Sequence, residues 1–231
     1  METAAGAIRI DPTRSRAGLD RDERVVKDGI LRMGSLVEAQ IREAVRSVAE
    51  RDVEAADRVI AADERINEVQ REIADAVVTT IATQSPVARD LRFLMGLDHV
   101  AFELERIGDH ASSIAKQTRR LTEESVLRET RDLVEMGRLA ADQVRGIVTA
   151  LIDIDDDLAR TVAARDDDID HLYRTIFAEV IDLMRSDPRT VERGTRVILA
   201  AHWVERIGDR VTNIAEQVVY LATGQIEDLN P

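Results

Sequence analysis

Glu105-Arg106-Ile107-Gly108-Asp109 recurs unchanged as Glu205-Arg206-Ile207-Gly208-Asp209, one hundred residues later in a chain of 231 residues. The similarity extends beyond the pentapeptide, because Ile114-Ala115 recurs as Ile214-Ala215 at the same separation. A repeat at a fixed separation indicates an internal duplication, so the same structural unit is expected twice. Each copy also sets a Glu and an Asp four residues apart, which on a helix places two carboxylates one turn apart on one face.

The composition is typical of a globular protein that does not enter a membrane. The chain is 44% hydrophobic and 33% charged, no apolar run approaches the roughly eighteen residues of a membrane span, and residues 1–20 lack the apolar core of a secretory signal. We therefore expect it in the cytoplasm. A net charge of −13 argues against a nucleic-acid partner. Because the chain has no cysteine, thiolate metal sites and cysteine nucleophiles are excluded.

Apolar residues recur at intervals of three and four along the chain, which is typical of amphipathic helices, and no stretch alternates as a strand would. The predicted helices cover residues 22–50, 54–83, 86–121, 126–152, 157–185 and 188–223. Short links force sequential helices to run antiparallel. The sequence therefore predicts an all-α fold of two tandem antiparallel three-helix bundles, six long helices in total. The first bundle is expected at residues 22–122 and the second at 123–224, flanked by a flexible tail at 1–21 and a C-terminal tail at 225–231.

Local signals mark several helix ends, and a joint between the bundles is expected at residues 122–125. Ser85-Pro86 and Asp187-Pro188 are each interpreted as an N-cap followed by proline at the first helical position, where the missing N–H costs nothing. Gly224 is interpreted as the residue that ends the last helix.

The repeated acidic residues lie off the apolar stripe of their helices, so we do not expect them in the core. The second and fifth helices repeat the pattern, with Asp63 and Asn67 matching Asp166 and Asp170. In antiparallel neighbours these pairs can approach the acids of the following helix across a groove. Arg106 and Arg206 are expected on a different face and are not predicted to neutralise the acids. The predicted metal ligands are Glu105, Asp109, Glu205, Asp209, Asp63, Asp166, Asp170 and His202.

Oxygen ligand sets of this kind suit hard cations such as Mg²⁺, Mn²⁺ or Fe³⁺, and His202 next to the second set would also allow Zn²⁺ or Fe²⁺. A single Glu-x-x-x-Asp motif is most often a solvated helix face. Duplication in register, with matched polar pairs on the preceding helices, favours a binding site in both bundles. The identity of the metal stays open at this point.

With these motifs, the chain resembles the PhoU family of bacterial phosphate-uptake regulators over residues 22–224. The C-terminal motif from Glu205 to Gly224 and the stretch from Pro86 to Asp109 carry the resemblance. It implies two three-helix bundles with metal clusters held on their surfaces by Glu105, Asp109, Glu205 and Asp209. Because Asn67 stands where the other half has Asp170, the first bundle is expected to hold its ion less tightly.

The resemblance also implies a role. It implies a non-enzymatic negative regulator of phosphate-starvation signalling, the Pho regulon. The implied partners are the ATPase subunit of the phosphate transporter and a sensor histidine kinase, with membrane association only through partners. A homodimer is a further expected assembly.

Two other interpretations stay open from the residues. A ferritin-like metal oxidase also gathers carboxylates from facing helices, but that class needs Glu-x-x-His motifs. None of the chain's four histidines has a glutamate three residues before it. No Gly-rich phosphate loop or nucleophile elbow is present either, so an enzyme is not expected. The third interpretation is a metal-free scaffold whose acids only solvate the bundles.

Overall fold

The computed structural model describes residues 12–121 and 130–230. Within these residues it contains no strand and seven α-helices, which are α1 (Pro12–Glu50), α2 (Val53–Gln84), α3 (Arg89–Thr118), α4 (Thr130–Asp153), α5 (Asp156–Ala163), α6 (Asp166–Ser186) and α7 (Val191–Thr223). The predicted joint at residues 122–125 and the predicted start of the fourth helix at residue 126 lie outside the described residues. So do residues 1–11 of the predicted tail. None of the described helices is both long and apolar enough to cross a membrane.

The predicted all-α architecture of two three-helix bundles is confirmed. Helices α1, α2 and α3 pack against one another in the first repeat, and α4, α5, α6 and α7 do so in the second. Several helix boundaries differ from the prediction. The first helix begins at Pro12, so residues 12–21 are helical rather than tail. The predicted fifth helix is interrupted at Ala164-Arg165 and forms α5 and α6.

The first link of each repeat has the same construction. Arg51 and Ile154 both adopt left-handed backbone angles, with φ of 57° and 53°, and each is followed by an aspartate. Asp52 and Asp155 then cap the next helix, their carboxylates accepting hydrogen bonds from Ala55 N and Leu158 N at 2.8 and 2.9 Å. Side-chain capping of the free N–H groups starts the second helix at the equivalent point of both halves.

The proposed cap at Ser85-Pro86 is wrong. Ser85 ends α2 in a left-handed conformation with its N–H bonded to Ile81 O, and α3 begins only at Arg89. Asp187 does cap a helical turn, but this is a 3₁₀ turn at Pro188–Thr190 that precedes α7. Gly224 ends α7 as predicted, with φ of 76° and its N–H bonded to Tyr220 O. Glycine suits this position because it adopts positive φ without strain.

A single hydrophobic core continues from one repeat into the other, because α1 packs on α4 and α3 packs on α7. Glycines allow the close approach of α1 and α4. A side-chain carbon placed at Gly34 would lie 2.9 Å from Val148, and one at Gly137 would lie 2.5 Å from Val45. The edge of this contact carries ion pairs of Arg42 with Asp142 and of Arg145 with Glu38.

Candidate metal centres

The predicted ligands fall into two groups, one in each repeat. The first acid cluster consists of Asp63 on α2 with Glu105 and Asp109 on α3. The second acid cluster consists of Asp166 and Asp170 on α6 with Glu205 and Asp209 on α7. In both repeats the second long helix and the last helix contribute the acids, as the helical spacing predicted.

Glu105 is more enclosed than Asp109 in the first cluster, with its side chain 22% exposed against 40%. Burial raises the pKa of Glu105, and the charges of Asp109 and Asp63 raise it further, whereas Arg106 opposes the shift. Like charges raise a carboxyl pKa only at short range. The three predicted ligands of the first repeat therefore act on one another.

In the second cluster, Asp166 has the most strongly raised pKa of these acids. Asp166 is 8% exposed, and burial, followed by the charges of Asp170, Asp209 and Glu205, raises its pKa to about 7. Burial and Asp209 also raise the pKa of Glu205, against the opposing effect of His202. Asp166 is thus a buried residue. A carboxylate in such surroundings needs a cation or a proton.

The two arginines of the pentapeptides do neutralise acids, contrary to the prediction. Arg106 Nη1 donates to Asp109 Oδ2 at 3.1 Å, and Arg206 Nη1 lies 3.1 Å from Asp209 Oδ2. A helical wheel gives the direction of the Cα–Cβ bond, but the long arginine side chain reaches one turn along its helix to the aspartate. Each pentapeptide therefore contains an internal ion pair.

His202 lies beside the second cluster, as predicted, with its Nδ1 atom 3.2 Å from Glu205 Oε2. It belongs to a row of rings that crosses from α6 to α3. The rings are those of Phe177, Tyr173, His202, Trp203 and His110. The last two are stacked, with centroids 5.2 Å apart. Burial, and then the charges of Arg210, Arg206, Arg106 and His202, lower the pKa of His110 to about 4.

The glycine of the pentapeptide positions an acid in the second repeat, a role that sequence reasoning missed. A side-chain carbon at Gly208 would lie only 2.0 Å from Asp166 Oδ1, so this carboxyl group packs directly against the α7 backbone. At Gly108 the nearest atoms are Ile66 Cδ1 at 3.1 Å and Gln40 Oε1 at 3.2 Å. The repeated glycine was visible in the sequence, but its neighbour on another helix was not.

A buried glutamine on the first helix of each repeat was also missed. Gln40 Nε2 donates to Asp63 Oδ1 at 3.3 Å and to Ser112 Oγ at 3.2 Å, so it links all three helices of the first repeat. Gln143 is its counterpart and donates to Val162 O at 3.5 Å. The pair Gln40-Ile41-Arg42 and Gln143-Val144-Arg145 could have been found by comparing the two halves.

The C-terminal segment, Gln225–Asn230, lies across the second cluster. Asn230 Nδ2 donates to Asp166 Oδ2 at 3.5 Å, and Leu229 N donates to Glu216 Oε1 at 3.1 Å. Glu227 pairs with Arg160 of α5 at 2.5 Å. Between this segment and α7 is a cavity of about 580 Å³.

The donor chemistry of both clusters fits a cation. Glu105 Oε2, Glu205 Oε2 and Asp166 Oδ1 are each buried and accept no hydrogen bond, which is costly for a carboxylate oxygen. Arg106 Nε and His202 Nδ1 lie 3.6 and 3.2 Å from the first two oxygens without donating to them. Across residues 12–121 and 130–230, however, no three histidine or acidic side chains are arranged to hold a metal ion as they stand. Side-chain movement would be needed to bring three oxygens onto one ion. Metal binding therefore stays a prediction.

Comparison with known proteins identifies the family. The PhoU domain model matches residues 30–118 and 133–218. The chain is 37% identical over 202 residues to the phosphate-specific transport system accessory protein PhoU homolog of Clostridium acetobutylicum, covering 87% of this chain and 92% of that one. It is 40% identical over 203 residues to the protein of the same description from Pseudomonas putida, covering 86% and 78%.

Solved structures agree with the sequence relatives. The crystal structure of PhoU from Pseudomonas aeruginosa aligns with a TM-score of 0.84 at 34% identity, covering 89% of this chain and 99% of that one. The phosphate transport system regulatory protein PhoU from Streptococcus pneumoniae aligns with a TM-score of 0.84 at 30% identity, covering 91% and 99%. The resemblance predicted from the repeated pentapeptide is thus confirmed, and the chain belongs to the PhoU family.

Proposed function

We propose that this chain is a non-enzymatic regulator of phosphate uptake that works as an adaptor in the cytoplasm. Its proposed partners are the ATPase subunit of the phosphate transporter and a sensor histidine kinase, whose signalling it restrains when phosphate is plentiful. The names of its relatives, accessory and regulatory proteins of phosphate transport systems, support this role. A homodimer belongs to the same proposal.

We further propose that the acid clusters hold metal ions that set the shape of the adaptor. The observation that carries this proposal is the set of buried carboxylate oxygens without partners at Glu105, Glu205 and Asp166. A bound cation would give these oxygens a direct partner and would draw the acids of neighbouring helices together. Iron, zinc, magnesium and manganese all remain candidates, because oxygen ligands discriminate poorly between them.

The second cluster is proposed to bind its ion more tightly than the first. It has Asp170 where the first repeat has Asn67, and it has His202 beside Glu205. A site with more negatively charged ligands has a higher affinity for a hard cation. The two centres are therefore expected to fill in order as the metal concentration rises.

Elemental analysis of the purified protein tests the metal proposal. The native chain is expected to carry metal, Glu205→Gln/Asp209→Asn to lose the tighter-bound fraction, and Glu105→Gln/Asp109→Asn to lose the weaker one. Asp182→Asn is a suitable control, because Asp182 is an exposed α6 residue that pairs with Arg185. Equal metal content in all four proteins would refute the centres and favour a metal-free scaffold.

The adaptor role is tested separately. Affinity capture with the purified transporter ATPase and the purified sensor kinase is expected to retain this chain on at least one of them. Capture by neither would contradict the adaptor proposal. Turnover of Fe²⁺ to Fe³⁺ well above that of the metal in buffer would instead favour a ferritin-like oxidase.

A further inference from the structure

One face of α3 carries large apolar side chains that stay exposed. Leu91, Met95 and Phe102 are 36%, 52% and 44% exposed. Their spacing of four and seven residues places them on the same side of the helix. We name these three residues the α3 apolar stripe. From Leu91 to Phe102 it extends about 16 Å, the length of three helical turns.

The stripe borders a groove between α3 and the end of α7. Gly96 of α3 allows the close approach of the two helices, because a side-chain carbon there would lie 2.9 Å from Leu221. Beside this contact is a cavity of about 480 Å³, whose walls include Leu91 and Met95 of the stripe and Tyr220 of α7. A groove between two packed helices, with apolar walls, can take the apolar face of a third helix.

Arg92 joins this groove to a second cavity of about 380 Å³ at the start of α3. The charged lining of the second cavity consists of four basic and two acidic side chains, Arg16, Lys27, Arg89, Arg92, Glu23 and Asp90. Asp90 already accepts a hydrogen bond from Arg16 Nη1 at 2.6 Å. The start of α3 is therefore locally positive in a chain whose net charge is −13.

The charge changes along the stripe. Within the described residues neither Arg89 nor Arg92 takes part in an ion pair, and Arg92 Cζ lies instead 5.3 Å from the centroid of the Tyr220 ring. The other end of the stripe, at Phe102, leads to the first acid cluster, whose Glu105 follows three residues later. A partner that lies along the stripe would find basic side chains at one end only.

The second repeat lacks most of this surface. Both α3 and α7 run without interruption into their pentapeptides, so residues one hundred apart occupy equivalent places. Only Leu91 has an apolar counterpart, Val191. The other matched pairs are Met95 with Thr195, Phe102 with His202, and Arg92 with Glu192. Because the second repeat folds in the same way without these side chains, the fold does not require them, which favours a role in binding.

We propose that the α3 apolar stripe, with Arg89 and Arg92, docks an amphipathic helix of a partner protein that carries acidic side chains at one end. Its apolar side chains would fill the groove beside Met95, and its carboxylates would pair with the two arginines. Aromatic residues, methionine and arginine are enriched at protein interfaces, and arginine pairs with carboxylates in a fixed orientation. The proposal specifies a contact of the adaptor and rests on that role, but it requires no metal ion.

Fluorescence anisotropy with two labelled amphipathic peptides tests the surface. Both peptides carry the same stripe of leucines, and one ends in glutamates where the other ends in lysines. We expect the glutamate peptide to bind about tenfold more tightly, although the net charge of −13 favours the lysine peptide. Equal binding of both peptides, or tighter binding of the lysine peptide, would overturn the proposal.

Charge reversal locates the binding site of the peptide. Arg89→Glu/Arg92→Glu is expected to reverse the preference for the glutamate peptide. Arg185→Glu/Arg189→Glu is the matched control, because it changes the net charge equally on two exposed arginines that precede α7, far from its Tyr220 end. The control is expected to keep the native preference. A reversal in both variants would mean that net charge decides, and the surface would be refuted.

Met95→Ser tests the apolar part of the surface. It is expected to weaken both peptides about tenfold, whereas Val78→Ser, at a valine of α2 that is 66% exposed, is expected to leave them unchanged. Helix content by circular dichroism checks that each variant is folded. Unchanged binding by Met95→Ser would contradict the proposal. So would a native dimer in sedimentation that Met95→Ser dissociates, because a second copy would then cover the stripe.

Affinity capture links the surface to the adaptor role. Whichever of the transporter ATPase and the sensor kinase retains the native chain is expected to lose Arg89→Glu/Arg92→Glu and to keep Arg185→Glu/Arg189→Glu. Undiminished capture of Arg89→Glu/Arg92→Glu would refute the docking surface and leave the adaptor role standing. Capture of the native chain by neither protein would refute the adaptor role, and the peptides would then decide on the surface alone.

Discussion

At the scale of single residues, Asp166 shows how the second acid cluster is built at the expense of stability. Its carboxyl group is 8% exposed, one of its oxygens has no partner, and Asp170, Asp209 and Glu205 surround it with like charge. Packing against Gly208 holds it there. A buried acid that is retained under these conditions is a common feature of binding sites, where perturbed carboxyl groups concentrate.

The pH dependence of the metal-free protein follows from this carboxyl group. Its pKa is about 7 in the folded chain against an ordinary 3.8, so the folded state holds the proton more tightly than the unfolded state. Stability is therefore lost as the pH rises from about 4 to about 7, and no more is lost above that. Asp166→Asn is expected to raise the free energy of unfolding by ~1–3 kcal/mol at pH 8 and by little at pH 4. Urea denaturation in chelator at both pH values measures the difference.

The matched control is Asp63→Asn. Asp63 occupies the equivalent place in the first repeat but accepts a hydrogen bond from Gln40, which the asparagine oxygen can also accept. Its stability change is expected to be small at both pH values. A gain from Asp166→Asn that is the same at pH 4 and pH 8 would show that burial of the charge is not its cause.

At the scale of helices, the sequence predicts which residues share a helix face better than it predicts where each helix begins and ends. The period of the apolar residues predicted the helix face on which Glu105, Asp109, Glu205 and Asp209 lie, because residue spacing determines the face in a helix. The predicted start of α3 was wrong, because Ser85 and Ala88 adopt positive φ angles of 49° and 48° that no residue preference indicated. Contacts between helices far apart in sequence, such as that of Gln40 with Ser112, depend on tertiary packing and could not be read from one helix.

The contact of α1 with α4 depends on two glycines that face valines of the other repeat. A methyl group at Gly137 would lie 2.5 Å from Val45 Cγ2, inside van der Waals contact. We expect Gly137→Ala to lower the free energy of unfolding by ~1–3 kcal/mol, because overpacking outweighs the gain in helix propensity. Thermal or urea denaturation measures the loss, and Gly34→Ala, with a nearest distance of 2.9 Å, is expected to lose less.

A double variant checks the cause of that loss. Val45→Ala removes the two nearest atoms that Gly137→Ala would meet, Cγ1 and Cγ2, so Gly137→Ala/Val45→Ala is expected to be more stable than the sum of the single losses predicts. Additive losses would mean that the alanine at position 137 acts through something other than contact with Val45.

At the scale of the whole molecule, α3 and α7 each have two structural roles. They provide Glu105 and Asp109 to one acid cluster and Glu205 and Asp209 to the other, and they also form one of the two main contacts between the repeats, beside that of α1 with α4. A shift of either helix on binding a ligand would therefore change both the repeat contact and the other cluster.

The same shared core predicts that the repeats unfold together. Trp203, the only tryptophan, lies on α7 and stacks on His110 of α3, so its fluorescence reports on the contact between repeats. Helix content by circular dichroism reports on both repeats at once. Because one hydrophobic core runs through both, we expect the two signals to give the same urea midpoint in the metal-free protein. Loss of the tryptophan signal at a lower urea concentration would mean instead that the repeats separate before they unfold, and that each is a cooperative unit of its own.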